Sequence, residues 1–350
     1  MGAMEGQKLI SLVVPVFNEA GNLRPLYEAV IRHVEGLGVA VEMLFVDDGS
    51  TDDSMAVLRR LSAEDPRVKV VSLSRNFGHQ CALSAGMEFA CGDAVIVMDA
   101  DLQHPPELIP EMVALWREGV QVVYTVREDA DDLGPWKRWT SAAFYRLFNA
   151  ISDVPIVPGA ADFRLMDRSV VQCLVAMPER SRFLRGMVTW LGFRQQGLRY
   201  RAKARLSGRS KYSWRKMLSL ALEGATSFSS KPLRVAGFLG LAAALAGLPY
   251  AVWAIYARCF TDVAVPGWAS LLVAVLFLGG VQLMSIGVIG EYVGRIYVEV
   301  KGRPLYLARE LVNLDRADSV PDPGPAGAIL RFPRSEPSAS GLQRAQVPDR

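Results

Sequence analysis

Asp99-Ala100-Asp101 places two carboxylates one small residue apart, directly after the apolar run Val95-Ile96-Val97-Met98. Such a run reads as a strand buried on both faces of a parallel sheet, and the acids fall where it emerges. Two hard oxygen ligands at this spacing suit a divalent cation that is also held by substrate phosphates. For a lone D-x-D a pair of solvated loop acids is the better reading, so other residues must decide. Further polar clusters follow other apolar runs. They are Asn18-Glu19 after Ile10 to Val16, Asp47-Asp48 after Val41 to Val46, and Asn76-Phe77-Gly78-His79 after Val68 to Leu73. His79 and His104 read either as bases or ligands, or simply as residues at helix starts.

Helix-like spacing fills the gaps between these runs. Leu23, Leu26, Ala29, Val30 and Val34 share one face, and Met55, Leu58 and Leu61 another, while Gln80 to Cys91 and the segment opened by Pro105-Pro106 continue the alternation. Ser50 or Thr51, followed by acids, predicts the start of the second helix. Val120 to Val126 predicts a fifth strand. This alternation is that of a Rossmann-like α/β domain with a mainly parallel sheet and helices on both faces. Ligands bind such sheets outside the carboxyl ends of the strands, where all four clusters lie. The first turn, Val16 to Gly21, carries neither G-x-G-x-x-G nor a P-loop, which argues against hydride transfer and ATP hydrolysis. A diphosphate would then be held by a metal on Asp99 and Asp101.

The chain of 350 residues is 51% hydrophobic with net charge +3, more apolar than a soluble enzyme requires. Val235 to Ala257 and Val263 to Gly290 are free of charge, and each is long enough to cross a bilayer. Arg182 to Lys216 holds eleven bases and no acid. With two predicted spans just downstream, its partner is the membrane surface rather than nucleic acid. Bases flank both spans, so both flanks are expected in the cytoplasm and the short connecting loop outside. Cys81, Cys91, Cys173 and Cys259 lack metal spacing and suggest reduced thiols, with Cys81 and Cys91 in the core of one helix. Trp116, Trp136, Trp139 and Trp190 read as core or interface residues. Gln196-Gly197-Leu198-Arg199-Tyr200 echoes, imperfectly, the Q-x-x-R-W of processive sugar-polymer synthases. Residues from Asp315 on are rich in Pro, Ser, Gly and Arg and predict disorder.

The motifs Val13 to Glu19, Val46 to Asp52, Asn76 to Gln80, Met98 to Glu107, Gly208 to Tyr212 and Gly290 to Tyr297 resemble those of family 2 glycosyltransferases. The branch is that of dolichol-phosphate-mannose synthases and bacterial polyprenyl-phosphate (bactoprenol) glycosyltransferases. The resemblance runs from about Ile10 to Leu311. It implies a GT-A-type catalytic domain over 1–207, an acceptor loop with amphipathic juxtamembrane helices over 208–234, and transmembrane helices at 235–257 and 263–290. A cytoplasmic segment at 291–314 and the tail 315–350 complete the chain. Activity is implied to be inverting transfer of a sugar from a nucleotide sugar, UDP-glucose by default, to polyprenyl (undecaprenyl) phosphate. The setting is the cytoplasmic face of a bacterial inner membrane. GDP-mannose is the alternative donor; a processive polysaccharide synthase and a non-enzymatic nucleotide-sugar-binding scaffold are the alternative functions. A homo-oligomer, a tetramer in close relatives, is the implied assembly.

Carried over by position, Pro15, Phe17, Glu19, Asp47 and Asp48 line the base and ribose. Asp99, Asp101 and Gln103 bind Mg2+ or Mn2+, and Arg127 supports the donor phosphates or the acceptor. Lys137 and Ser141 match an Arg-x-x-x-Ser acceptor-phosphate pattern with Lys in place of Arg, which exchanges a bidentate fork for a point charge. Arg209, Ser210 and Lys211 close over the phosphates. Asp162 matches the acid discussed as a base in this branch. A phosphate monoester has its second pKa near 6, so the acceptor needs little deprotonation and Asp162 is expected mainly to orient.

Overall fold

The computed structural model describes residues 7–128, 159–201, 231–260, 268–314 and 328–329. Lys137, Ser141, Arg209, Ser210 and Lys211 lie outside the described residues, as do Trp136, Trp139 and the amphipathic segment 213–229.

The apolar runs form strands β1 (Leu9–Val16), β2 (Ala40–Asp47), β3 (Val68–Leu73) and β4 (Ala94–Val97). Between them lie α1 (Ala20–Val34), α2 (Ser54–Glu64) and α3 (His79–Phe89). A single turn of 3-10 helix, Pro106–Leu108, leads into α4 (Ile109–Arg117) and then β5 (Val122–Glu128). β6 (Ala160–Asp167), α5 (Arg168–Ala176), α6 (Leu184–Trp190) and β7 (Gln195–Arg201) complete the central part. Two long helices follow, α7 (Lys231–Phe260) and α8 (Trp268–Val300), then β8 (Leu307–Val312) and the two-residue β9 (Ala328–Ile329).

The strands make one nine-stranded sheet in the order β7-β5-β6-β4-β1-β2-β3-β8-β9. β3, β2, β1 and β4 run parallel, as expected, because each crossover contains a helix. β6 runs antiparallel between β4 and β5, and β8 antiparallel along β3. The strand run therefore has a buried side chain at nearly every position rather than alternation. Leu12, Val14, Phe45 and Ile96 pack beneath α1, α2 and α4, while Val13, Leu44, Val46 and Val97 pack beneath α3 and α5. Gly86 of α3 lets that helix approach β1, since a Cβ there would lie 2.2 Å from the Val13 side chain.

Several sequence expectations change. α2 begins at Ser54, later than Ser50 or Thr51, because those hydroxyls reach across to the first loop. Cys91 lies past the end of α3 rather than inside it; Cys81, Cys91 and Cys173 form no disulfide. Trp116 is buried, its indole N–H donating to Asp167 Oδ2 at 2.8 Å, whereas Trp190 is 64% exposed. Residues 307–312, set apart in sequence as a post-membrane segment, join the sheet beside β3. Within the tail, Ala328–Ile329 pairs with β8 instead of lying unstructured. Among the described residues one stretch, Phe277–Val300, is long and apolar enough to cross a membrane, where the sequence pattern suggested two.

Candidate active site

The loop after β1 is locked to the loop after β2. Asn18, at φ +57°, sits in the left-handed region that asparagine tolerates. Its Oδ1 accepts the Thr51 N–H at 2.8 Å, and its own N–H donates to Ser50 Oγ at 3.0 Å. At the start of α1, Glu19 N–H donates to Ser54 Oγ at 3.0 Å and Ala20 N–H to Asp52 Oδ2 at 3.2 Å. Such N–H groups have no partner within their own helix and in dinucleotide folds receive the phosphates. Here side chains of residues 52–54 take them, which is the physical counterpart of the missing glycine turn.

Asp47 and Asp48 are both buried. Asp47 accepts from Ser50 N–H and from Ser72 Oγ, each at 3.1 Å. Asp48 accepts from Phe77 N–H at 2.7 Å and Gly78 N–H at 2.9 Å. Burial raises its carboxyl above the ordinary range, and those two N–H groups oppose the rise without cancelling it. Both acids hold loops, and Asp48 fixes the turn from which His79 opens α3; contact with a ligand would use only their remaining lone pairs. Between the loops, Gly49 has φ +70°, and a Cβ there would lie 2.5 Å from the Arg75 carbonyl carbon. Pro15 is buried at the end of β1. Phe17 is 46% exposed at the rim, and Glu19 is half-buried and accepts from Asn22 Nδ2.

The sheet register brings the remaining residues into one row. Val97 pairs with Arg164, so Asp99 and Asp162 stand at the same edge; Val126 pairs with Ala160, and Arg127 with Tyr200. Asp99 lies between two imidazoles, with His79 Nε2 3.5 Å from Oδ1 and His104 Nε2 3.7 Å from Oδ2. His104 is buried, stacks on Phe163 with centroids 5.2 Å apart, and accepts the Asp99 N–H on Nδ1 at 2.9 Å. Asp101 accepts from the backbone N–H of Gln103 at 3.2 Å and from its side-chain amide. Leu102, at φ +61°, makes the turn that folds Gln103 back on Asp101. Such a strained residue is typical of functional loops.

Asp99 keeps 34% of its side-chain surface but lies deep in the crevice. Burial raises its carboxyl; His104 and His79 pull it down; Asp162 and Asp101 push it up, and the net direction is up. Asp162 behaves oppositely. Burial would raise it, but two bonds from Arg185 (2.6 and 2.8 Å), then Arg164 and His79, hold it well below the carboxylate range. Arg164, fully enclosed, is itself lowered to about 10 by burial, against the pull of Asp162. On β7, burial raises the Tyr200 phenol, with Arg127 and Arg185 opposing and Asp99 and Asp101 adding to the rise.

Asp99 and Asp101 fit a hard divalent cation, since two crowded carboxylates with hard oxygens are what Mg2+ or Mn2+ takes alongside substrate phosphates. Among the described residues no group of three His, Cys, Asp or Glu side chains that could hold a metal ion is found. Gln103 is turned to Asp101 through its amide nitrogen and orients that carboxylate. Sequence reasoning did not single out Arg164 and Arg185; Arg185 stood in a basic stretch that resembles a membrane patch, and nothing local marks it as the partner of Asp162.

The mainly parallel sheet, with its strand-end acids, defines a GT-A-like α/β enzyme fold. The family model for glycosyl transferase family 2 matches residues 11–175, and that for the GtrB C-terminal hairpin matches residues 231–296. The chain is 44% identical over 305 residues to the uncharacterized glycosyltransferase YkcC of Bacillus subtilis, covering 87% of this chain and 94% of that protein. It is also 44% identical over 301 residues to the SfII prophage-derived bactoprenol glucosyl transferase of Shigella flexneri, covering 86% and 97%. A mannosyltransferase from Pyrobaculum calidifontis, solved with GDP-Man and Mn2+, aligns at 17% identity and a TM-score of 0.45 over 83% of this chain and 88% of that one. The chain belongs to glycosyl transferase family 2 and is a glycosyltransferase.

Proposed function

We propose that the protein transfers a single sugar from a nucleotide sugar to polyprenyl phosphate at the cytoplasmic face of a bilayer. One observation carries the reading: Asp99, Asp101 and an arginine-held Asp162 share the carboxyl edge of a sheet whose chain continues into two long apolar helices. The bactoprenol glucosyl transferase relatives support the acceptor class and make UDP-glucose the first donor to test, with GDP-mannose second.

Phe17 offers an exposed aromatic face to the base, beside Pro15 and Glu19, with Asp47 and Asp48 keeping the loops around it in shape. Asp99 and Asp101, with Gln103 orienting the latter, would hold the cation; when bound, it supplies charge neutralisation to the leaving diphosphate. The acceptor phosphate oxygen attacks the anomeric carbon from the face opposite the diphosphate. The new C–O bond forms as the old one breaks, its electrons leave with the nucleoside diphosphate, and configuration inverts. Asp162, committed to Arg185 and Arg164, is a poor base; it orients a sugar hydroxyl or the acceptor. The phosphate monoester, already largely dianionic, needs no proton removed. Arg127, exposed on β5, would meet the phosphates.

Both long helices act as spans. Arg295 and Glu299 of α8 bond to the catalytic domain, so the last turns of that helix stand outside the hydrocarbon. The membrane part is therefore its upstream portion, near 268–290, rather than all of Phe277–Val300. Purified protein, incubated with a panel of nucleotide sugars and undecaprenyl phosphate, should yield a lipid carrying one sugar by mass. A polymer, or no lipid product with any donor, refutes the proposal.

A further inference from the structure

The cytoplasmic end of α8 is fastened to the domain. Glu299 Oε1 accepts the backbone N–H groups of Arg180 at 2.9 Å and Ser181 at 3.3 Å, and Arg295 Nη1 donates to Ser181 Oγ at 3.3 Å. Glu291, Arg295 and Glu299 recur every fourth residue and form one stripe, along which Arg295 also pairs with Glu291 at 3.2 Å. The loop they grip is itself held. The buried Arg182 guanidinium donates to the carbonyls of Leu174 (2.9 Å), Met177 (2.6 Å) and Glu179 (3.2 Å). Leu184 N–H then donates to Gln80 Oε1 at 3.1 Å, beside His79, and the next residue, Arg185, grips Asp162. The path from the helix end to the acid at the crevice is short and bonded throughout.

The chain leaving α8 is fastened as well. Tyr306 donates its hydroxyl to Glu88 at 2.6 Å, Arg59 pairs with Glu310 at 2.6 Å, and Asn313 Nδ2 donates to the carbonyls of Ser62 and Val68. α8 thus meets the domain both at its last turns and through the strand that follows it.

We propose that Glu299 and Arg295 are positioning residues for the acceptor. They dock the cytoplasmic end of the membrane helix on the loop that carries Arg185, and so set the height of the crevice over the bilayer. The inference rests on the membrane-anchored transferase reading above. A donor arrives from solution and is indifferent to that height, whereas a phosphate tethered by its lipid tail must meet the sugar at one depth. Misplacement of reacting groups by about 1 Å costs on the order of a hundredfold in rate.

The test uses full-length protein in anionic-lipid nanodiscs with Glu299→Leu, Glu299→Gln and, as a control for surface ion pairs, Glu64→Gln, which breaks the exposed pair with Arg24. For Glu299→Leu, kcat/KM with undecaprenyl phosphate in the bilayer should fall roughly tenfold, mainly through kcat, while donor affinity stays within about twofold. Transfer to a short, water-soluble polyprenyl phosphate should be nearly unchanged. Glu299→Gln, which keeps the accepting oxygen, should restore most of the loss, and Glu64→Gln should behave as wild type. Equal losses with both acceptors, weakened donor binding, or no loss at all overturns the inference. If Glu299→Leu does not fold, Ser181→Ala removes only the Arg295 bond and should show the same preference for the soluble acceptor on a smaller scale. Wild-type protein that transfers to neither lipid refutes the transferase reading instead.

Discussion

The carboxyl edge of the sheet has two halves with opposite electrostatic economies. At β1, β2 and β3 the acids are satisfied: Asp47 and Asp48 are buried and accept from Ser50, Ser72, Phe77 and Gly78. At β4 and β6 they are not evenly matched. Asp162 has two arginines, while Asp99 has two imidazoles at more than hydrogen-bond distance and two acids against it. The first half is a finished scaffold, and in the proposed reaction it would be the part that receives the neutral base. The second holds a charge demand that a cation and a diphosphate would meet. Preorganised charge of this kind does its chemical work where negative charge develops.

The largest expected effect lies in the second half. Asp101→Ala should lower transfer by at least about a hundredfold with little change in melting temperature, because a half-exposed loop acid is removed. Kinetics and thermal unfolding on the same samples check both parts. A loss of stability comparable to the loss of rate would erase the contrast between the halves.

Arg185→Met should cost about 2 kcal/mol of stability, below the roughly 3–5 expected for fully buried pairs, since Arg185 is 34% exposed. The sign of its pH dependence follows from Asp162. That carboxyl is depressed in the folded protein, so the pair contributes fully above the unfolded value of about 3.9 and its contribution is lost as pH falls through the folded value. The difference in stability between wild type and Arg185→Met should be flat above about pH 5 and shrink in acid. A difference that shrinks instead toward alkaline pH contradicts the assignment.

Mutations in the first half should act on stability and donor binding together. Asp48→Ala leaves two N–H groups without their acceptor and should cost about 2 kcal/mol, with a raised KM for donor and kcat nearly kept. Gly49→Ala combines a left-handed φ with a backbone clash and should cost about 1–3 kcal/mol. Smallest of all, Ser72→Ala removes one of two bonds to Asp47 and should cost about 1 kcal/mol, read as a small shift in denaturant midpoint.

Much of the first half was legible in the sequence. Continuous apolar runs such as Leu12 to Val14 and Val95 to Val97 announce strands covered on both faces, and the polar clusters after them mark the crevice. The start of α2 was misplaced because Ser50, Thr51 and Ser54 cap a neighbouring loop, a choice that depends on contacts between residues more than thirty positions apart. β6 and its antiparallel course were hidden by the Pro-Gly break before Ala160, and with it went the pairing of Asp162 with Arg164 and Arg185. Leu307–Val312 was invisible as a strand of the sheet for a related reason: its partner β3 lies across two long helices in sequence. Long-range pairings of this kind leave no periodic trace. His104 was half legible; its place beside Pro105 suggested a helix start, but its stacking on Phe163 is tertiary.

The most direct test is the divalent-cation dependence of lipid-linked sugar formation by purified wild-type protein beside Asp101→Ala. The expected result is a single-sugar polyprenyl phosphate whose formation by wild type is abolished by EDTA, returns with Mg2+ or Mn2+, and is restored by neither ion in Asp101→Ala. Full lipid-linked product in EDTA, or an Asp101→Ala variant as active as wild type, would contradict the role assigned to the acids after β4.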